Sequence, residues 1–308
     1  MVTMKDIQSA REQIADVVCQ TPILSSFQLS KICGNQMFLK SEHLQKTGSF
    51  KIRGATNKVK NAVRNGATFI TAASSGNHGQ AVAYIASKLG VPSVIVVPED
   101  AKDTKLNAIQ SYGGKFEKCG WTSAERLPHA KALAEENDGV FVPPYDDPLI
   151  IAGQGTIGAE ILEQLDNVDM VVVPIGGGGL ISGILTAIKE TNPRVLVIGV
   201  EPEIANDTYL SLKNDKITSI PATSTIADGL RTSQPGDLTF PIVQKYVDDI
   251  VLVKEEEIEE AQAFVLERMK QLIEPSSAVT AAAAMFDKLK VRDKRIVCVI
   301  SGGNVNVR

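Results

Sequence analysis

The chain is poor in the residue types that carry thiol and metal chemistry. Its four cysteines, Cys19, Cys33, Cys119 and Cys298, are scattered with no Cys-x-x-Cys pair. Neither a disulfide framework nor a thiolate metal site is expected, and the thiols fit a reducing, cytoplasmic compartment. Only three histidines occur, at 43, 78 and 129, and there is no Gly-x-Ser-x-Gly elbow, which disfavours a hydrolase. No apolar run reaches membrane-spanning length, and the stretch from Met1 to Val18 carries charges throughout. It therefore lacks the apolar centre of a signal peptide and the acid-poor composition of a transit peptide. A formal net charge of −4 with 22% charged residues leaves no bias toward nucleic acid or an anionic membrane, so neither is an expected partner.

Glycine, by contrast, is concentrated at one place. From Met170 to Ile188 an apolar run, MVVVPI, breaks into four consecutive glycines, Gly176 to Gly179, and resumes as LISGILTAI. The pattern predicts a strand, a glycine turn and a helix. Glycines tolerate positive φ and let backbone N–H groups approach a ligand with no Cβ in the way, at the positive end of the following helix. A phosphate fits such a place. Neither GxxxxGK[ST] nor GxGxxG occurs around these glycines, so the spacing points to a phosphate monoester rather than ATP or NAD. A tight turn with close helix–strand packing is the structural alternative.

At 308 residues two lobes or one large α/β unit are expected. A second focal stretch is HLQKTGSFKIRGA, in which Thr47, Gly48 and Ser49 read as helix-start chemistry. That places Lys51 in the first turn of a helix spelled FKIRGATNKVKNAV, where a cation is poorly set against the helix dipole. Partly desolvated there, the amine loses basicity, as a Schiff-base lysine requires. A solvated surface lysine is the plain alternative.

From Thr68 onward a β/α alternation begins, with strand FITAA, helix QAVAYIASKLG, strand SVIVVP, a helix from about Lys102 to Tyr112, strand KFEKC and a helix over 124–135. This predicts a small parallel sheet with covering helices. After its first strand comes Ser74-Ser75-Gly76-Asn77-His78-Gly79, at the carboxyl edge where open parallel sheets bind ligands. A helix cap accounts for only one or two of these six residues. The segment VFVPPYDDPLIIAGQG reads as a crossover between lobes, after which a helix from Thr156 to Leu165, the glycine-loop unit and strand VLVIGVE follow. Residues 205–241 read as loops and short helices. Strand DIVLV then precedes two helices broken at Glu274-Pro275, and the chain closes with strand RIVCVI and the loop Ser301-Gly302-Gly303-Asn304.

Taken together, Ser49-Phe50-Lys51, the loop Ser74 to Gly79, the four-glycine loop and Ser301-Gly302-Gly303-Asn304 resemble the pyridoxal-phosphate enzymes of the serine racemase and serine/threonine dehydratase family. The similarity covers nearly the whole chain. It implies an α/β fold of two lobes, each a mostly parallel twisted sheet flanked by helices, with the cofactor between them. The large lobe is expected from residues 1–68 and 147–308 and the small lobe from 69–146. The resemblance makes Lys51 the lysine that forms the Schiff base with pyridoxal 5′-phosphate and takes the substrate α-proton. It makes Gly176, Gly177, Gly178 and Gly179 the phosphate cradle, Asn77 the partner of the cofactor 3-hydroxyl and Ser301 the partner of the pyridine nitrogen. A neutral hydroxyl at that nitrogen weakens the electron sink and favours expulsion of a β-leaving group.

Ser74, Ser75, Gly76, Asn77 and His78 match the loop that holds the substrate carboxylate. Arg126 matches an arginine that meets a second carboxylate of substrate analogues, with a surface salt bridge as its plain alternative. Glu201, Ala205 and Asp207 match the divalent-cation site of serine racemases, where Mg²⁺, Mn²⁺ or Ca²⁺ takes hard oxygen ligands. The family also implies a homodimer and a small hydroxy amino acid as substrate.

Many threonine dehydratases carry Ser-Ala-Gly-Asn-His where this chain has Ser-Ser-Gly-Asn-His, as serine racemases do. Ser75 is therefore expected as the acid/base on the face opposite Lys51. The expected function is serine racemase with L-serine and L-threonine dehydratase (ammonia-lyase) activity. The other readings are a plain dehydratase, a threo-3-hydroxyaspartate dehydratase, and a noncatalytic two-lobed sensor of a phosphorylated ligand. Lys51 argues against the sensor, which has no need of a lysine in that setting.

Overall fold

In a computed structural model, which describes residues 1–306, the apolar strands assemble into two separate sheets. The larger contains β1 (Ile23–Ser25), β2 (Gln36–Ser41), β7 (Met170–Pro174), β8 (Leu196–Pro202), β9 (Asp249–Val253) and β10 (Arg295–Ile300), in the order β1-β2-β10-β7-β8-β9. Every pair is parallel except β1 with β2. Its central strands are apolar on both faces because both faces are covered. Val171, Val173, Val297 and Val299 enter one core with α1 (Met4–Ile14), α7 (Pro148–Gln164) and α8 (Gly179–Thr191). Met170, Val172, Ile296, Cys298 and Ile300 alternate into a second core with α2 (Phe27–Cys33), α11 (Glu255–Met269) and α12 (Pro275–Met285).

The smaller sheet contains β3 (Ile70–Ala73), β4 (Ser93–Val97), β5 (Lys115–Lys118) and β6 (Val140–Phe141), all parallel, in the order β5-β4-β3-β6. Helices α4 (Asn77–Lys88), α5 (Asp103–Ser111) and α6 (Ser123–Glu136) alternate with these strands. Each strand lies inside the 69–146 segment expected for the small lobe. Helix α3 (Lys51–Arg64) lies outside it, yet Ile52, Ala55, Val59 and Ala62 pack into the small sheet's core. This helix is thus a beam shared by both sheets.

Two expectations need correction. Helix α7 starts at Pro148 rather than Thr156, because the Asp147 carboxylate accepts from the N–H groups of Leu149 and Ile150 and Pro148 suits the first helical position. The glycines of the stretch read as a crossover lie inside this helix and pack against its neighbours. A Cβ on Gly153 would lie 2.6 Å from Gly54 Cα, and one on Gly183 of α8 would lie 2.5 Å from Gly155 N. Helix α3 has no hydroxyl cap, since its N-cap is Phe50, and Ser49 instead pairs with Gly302 in a β-bridge. The antiparallel β1 and the helix α2 had no clear sequence signal. Within 205–241 the short helices are α9 (Asp207–Lys213), a 3-10 turn over Asp228–Leu230 and the start of α10 (Thr239–Tyr246). Among the described residues no helix is long and apolar enough to cross a membrane.

Candidate active site

Four loops meet at the carboxyl ends of parallel strands, where β/α folds bind ligands. The loop after β3 starts α4, the glycines after β7 start α8, and Ser301 to Asn304 follow β10, beside the start of α3. Hydrogen bonds knit the start of α3, the loop after β3 and the loop after β10 together. Phe50 N donates to Ser301 O at 2.9 Å and Gly303 N to Gly48 O at 2.9 Å. Asn304 Nδ2 donates to Thr47 O and to Asn77 Oδ1, each at 2.8 Å. Asn77 Nδ2 in turn donates to the two Glu274 carboxylate oxygens at 2.9 and 3.0 Å.

Lys51 is the first residue of α3, half-buried, with its Nζ donating to Pro144 O at 2.6 Å. Lost hydration pushes the amine down to about 8, against the opposing pull of the Glu274 carboxylate. The helix below it is anchored by a buried charge cluster. Arg53, two residues on, donates from Nε and Nη2 to Glu42 at 2.7 and 2.9 Å, and from Nη1 and Nη2 to Glu160 at 2.6 and 2.9 Å. Lys40 completes the cluster through Glu160 at 2.5 Å. Two cations and two carboxylates, all buried, hold α3 against β2 and α7.

The glycine loop satisfies the test for an anion. Gly178 sits at φ +89°, a conformation only glycine takes readily, and α8 begins at the next residue. The backbone N–H groups of Gly176 to Gly179 reach no acceptor among the described residues, while three of these four glycines are buried. Buried N–H groups aligned with a helix dipole and lacking a partner fit a phosphate. Ser301 is buried, its hydroxyl 3.0 Å from that of Ser277.

In the loop after β3, Ser74 and Ser75 are half-buried, and the Ser74 hydroxyl accepts from Gly76 N at 3.2 Å. The His78 ring does not face an anion. Its Nε2 meets Val142 O at 2.8 Å, and burial, reinforced by the charge of Lys51, pushes it down to about 3. A neutral ring donating to that carbonyl follows, so what His78 offers an anion is its backbone N–H in the first turn of α4. Arg126 lies on α6 with Nη2 bonded to Ser123 Oγ at 3.3 Å and Nη1 buried without a partner. No hydrogen bond joins it to the cluster around Lys51 among the described residues.

Glu201, at the end of β8, accepts from Thr208 N at 3.1 Å and Tyr209 N at 2.8 Å. Asp207 is buried beside it and accepts from Thr232 Oγ1 at 3.3 Å. Burial, with the charge of Asp207, pushes Glu201 up to about 8, and burial pushes Asp207 up to about 7. Among the described residues no group of three His, Cys, Asp or Glu side chains gathers as a metal site. The pair supplies only two carboxylates.

Sequence reading missed three residues. Glu274 is buried between Asn77 and Gly302, and burial pushes it up to about 7 against the bonds from Asn77. Its signal was its place immediately before Pro275, read above only as a helix break. Pro144 and Tyr145 lay in the proline-rich crossover, a composition that suggests connection rather than contact with Lys51.

The fold and the site place the chain in a class. A two-lobed α/β frame with a lysine of depressed basicity and an anion-ready glycine loop is that of a pyridoxal-phosphate enzyme, and the matching family model, described as pyridoxal-phosphate dependent enzyme, covers residues 14–302. The chain belongs to that family. It is 44% identical to an L-threonine ammonia-lyase of Thermotoga maritima, over 100% of this chain and 77% of that one. It is 42% identical to a serine racemase of Dictyostelium discoideum, over 99% of this chain and 96% of that one. Among solved structures it superposes on maize serine racemase with a TM-score of 0.96 at 38% identity, covering 99% of this chain and 94% of that one.

Proposed function

We propose that this protein is a serine racemase that also dehydrates L-serine and L-threonine to 2-oxo acids and ammonia. The observation that carries it is Lys51, a half-buried amine lowered to about 8 in a chain whose full-length relatives bear both activities in their names. Bound pyridoxal phosphate supplies the electron withdrawal that loosens the substrate α-proton. In this reading Gly176 to Gly179 hold the phosphate, and Asn77 and Ser301 meet the ring's hydroxyl and nitrogen. Ser74 to His78 hold the substrate carboxylate with the N–H groups at the start of α4, and Arg126 stands by for a second carboxylate. The Lys51 amine, partly uncharged at neutral pH, takes the α-proton on one face, and the Ser75 hydroxyl gives or takes one on the other. A plain dehydratase is the second reading, supported by the threonine ammonia-lyase relatives.

The finer assignments belong to the same reading. The lobes part near 68/69 and 146/147, the chain pairs as a homodimer, and its free thiols suit the cytoplasm. A divalent cation sits at Glu201, Ala205 and Asp207, supported by two adjoining buried carboxylates whose mutual repulsion a cation would relieve. A chelator should then lower the thermal midpoint, Mg²⁺ or Mn²⁺ should restore it by mass action, and Asp207→Ala should respond to neither. An unchanged midpoint with no bound metal by elemental analysis rejects the cation. The site itself is tested by reducing the holoenzyme with borohydride and mapping the peptides. The pyridoxyl group is expected on Lys51, and its appearance on another lysine overturns the assignment.

A further inference from the structure

The segment from Pro144 to Asp147 is fastened at every residue. Pro144 O accepts from Lys51 Nζ at 2.6 Å. The Asp146 carboxylate accepts from the N–H groups of Leu238, Asp237 and Thr239 at 2.8, 3.1 and 3.2 Å. Asp147 caps α7 and pairs with Lys58 at 2.6 Å. Tyr145, held between these ties, lies against the glycine loop. Its ring atoms Cδ1, Cε1 and Cζ fill the space into which a Cβ on Gly177 would project, and its own Cβ is 2.9 Å from where a Cβ on Gly179 would stand.

Thr239 closes the other side. Its Oγ1 donates to Gly177 O at 2.8 Å and lies 2.8 Å from the Cβ position of Gly178. The loop is therefore clasped between Tyr145 and Thr239, and Asp146 ties the two together. A phosphate asks for N–H groups at close approach, but it does not require that an aromatic ring press on Gly177. Two of the four glycines are thus needed for Tyr145 as well as for any ligand.

We propose that the Tyr145 ring is the roof of the phosphate cradle, excluding water from one side of the Gly176 to Gly179 N–H groups, and that Asp146 is the positioning residue that holds the roof in place. A donor screened from water binds an anion more strongly, because the local dielectric falls and no solvent competes. The ring does this by covering, so the phenol hydroxyl is dispensable. The inference rests on the assignment of the glycine loop to the phosphate.

The test uses apoenzyme stripped of cofactor from the holoenzyme, with inorganic phosphate and pyridoxal phosphate as probes. Amide resonances of Gly176 to Gly179 should shift on addition of phosphate. Tyr145→Ala should weaken both probes roughly tenfold or more, while Tyr145→Phe should stay within about threefold of wild type. Phosphate should also slow nitration of Tyr145 in the wild-type apoenzyme, a measurement that needs no variant to fold. Shifts confined to amides elsewhere would show that the cradle assignment itself is wrong. Shifts at these glycines with Tyr145→Ala binding as wild type, with Tyr145→Phe falling as far as Tyr145→Ala, or with no protection from nitration, overturn the roof alone.

Discussion

Lys51, His78 and Glu274 each pay the cost of burial by moving toward the neutral form, and that choice sets how the site responds to pH. Lys51, lowered to about 8, gains free amine as pH rises toward that value, so the proton-abstraction rate should climb with it. His78, pushed to about 3, stays neutral throughout the working range and contributes no limb of its own. Glu274 is one of several groups whose titration bears on stability, with His78 working in the opposite direction and Glu201 and Asp207 in the same one. The folded value of Glu274, about 7, lies above that of an unfolded glutamate, so the folded state binds the extra proton, and this contribution to stability is present at low pH and lost as pH rises from about 4.5 through about 7. Each pH unit in that window is worth up to roughly 1.4 kcal/mol. Urea unfolding of the apoenzyme across this range should show the stability of wild type falling relative to that of Glu274→Gln as pH rises. Parallel curves would mean that Glu274 is ionised in the folded protein.

The crossing of α7 and α8 carries the glycine loop, because α8 begins at the last of the four glycines. The two helices approach so closely that the Gly183 position faces the backbone of Ile151 and Gly155, and no flexible side chain stands there to give way. Gly183→Ala should therefore destabilise the protein by about 1–3 kcal/mol through overpacking, read as a lower denaturant midpoint with an unchanged m-value. A stabilised variant, as a helix-propensity gain alone would produce, contradicts the close approach. Strands β3, β4, β7, β8, β9 and β10 were legible as apolar runs because both faces of each sheet are covered. Helix α7 was misread at its start because Pro148 and the glycines at 153 and 155 lie in a stretch that spells a loop in composition. Only the partner surfaces on α3 and α8 turn them into helix packing, and no local sequence pattern contains those partners.

At the scale of the whole molecule, the motifs that lie next to a strand end were legible, since a loop of polar residues and glycines between strand and helix marks a ligand edge. Lys51, Asn77, the glycine loop and Ser301 all come from such places, and tertiary structure joins them through Asn304, Glu274, Pro144 and Tyr145. Asn304 belonged to the terminal motif, but Glu274 and Pro144 were not legible because each looks ordinary in its own stretch and gains meaning only across more than ninety residues of chain, and Tyr145 gains its meaning only against the glycine loop. The buried cluster of Lys40, Glu42, Arg53 and Glu160 hid for the same reason. On the proposed function, the assembled site must handle a proton on both faces of one carbon. Holoenzyme incubated with L-serine, with D-serine resolved chromatographically and pyruvate measured in the same samples, tests this most directly. The wild type should form both products, and Ser75→Ala should keep most of its pyruvate formation while D-serine formation falls about a hundredfold or more. Pyruvate without D-serine from the wild type at long times, or undiminished racemisation by Ser75→Ala, contradicts it.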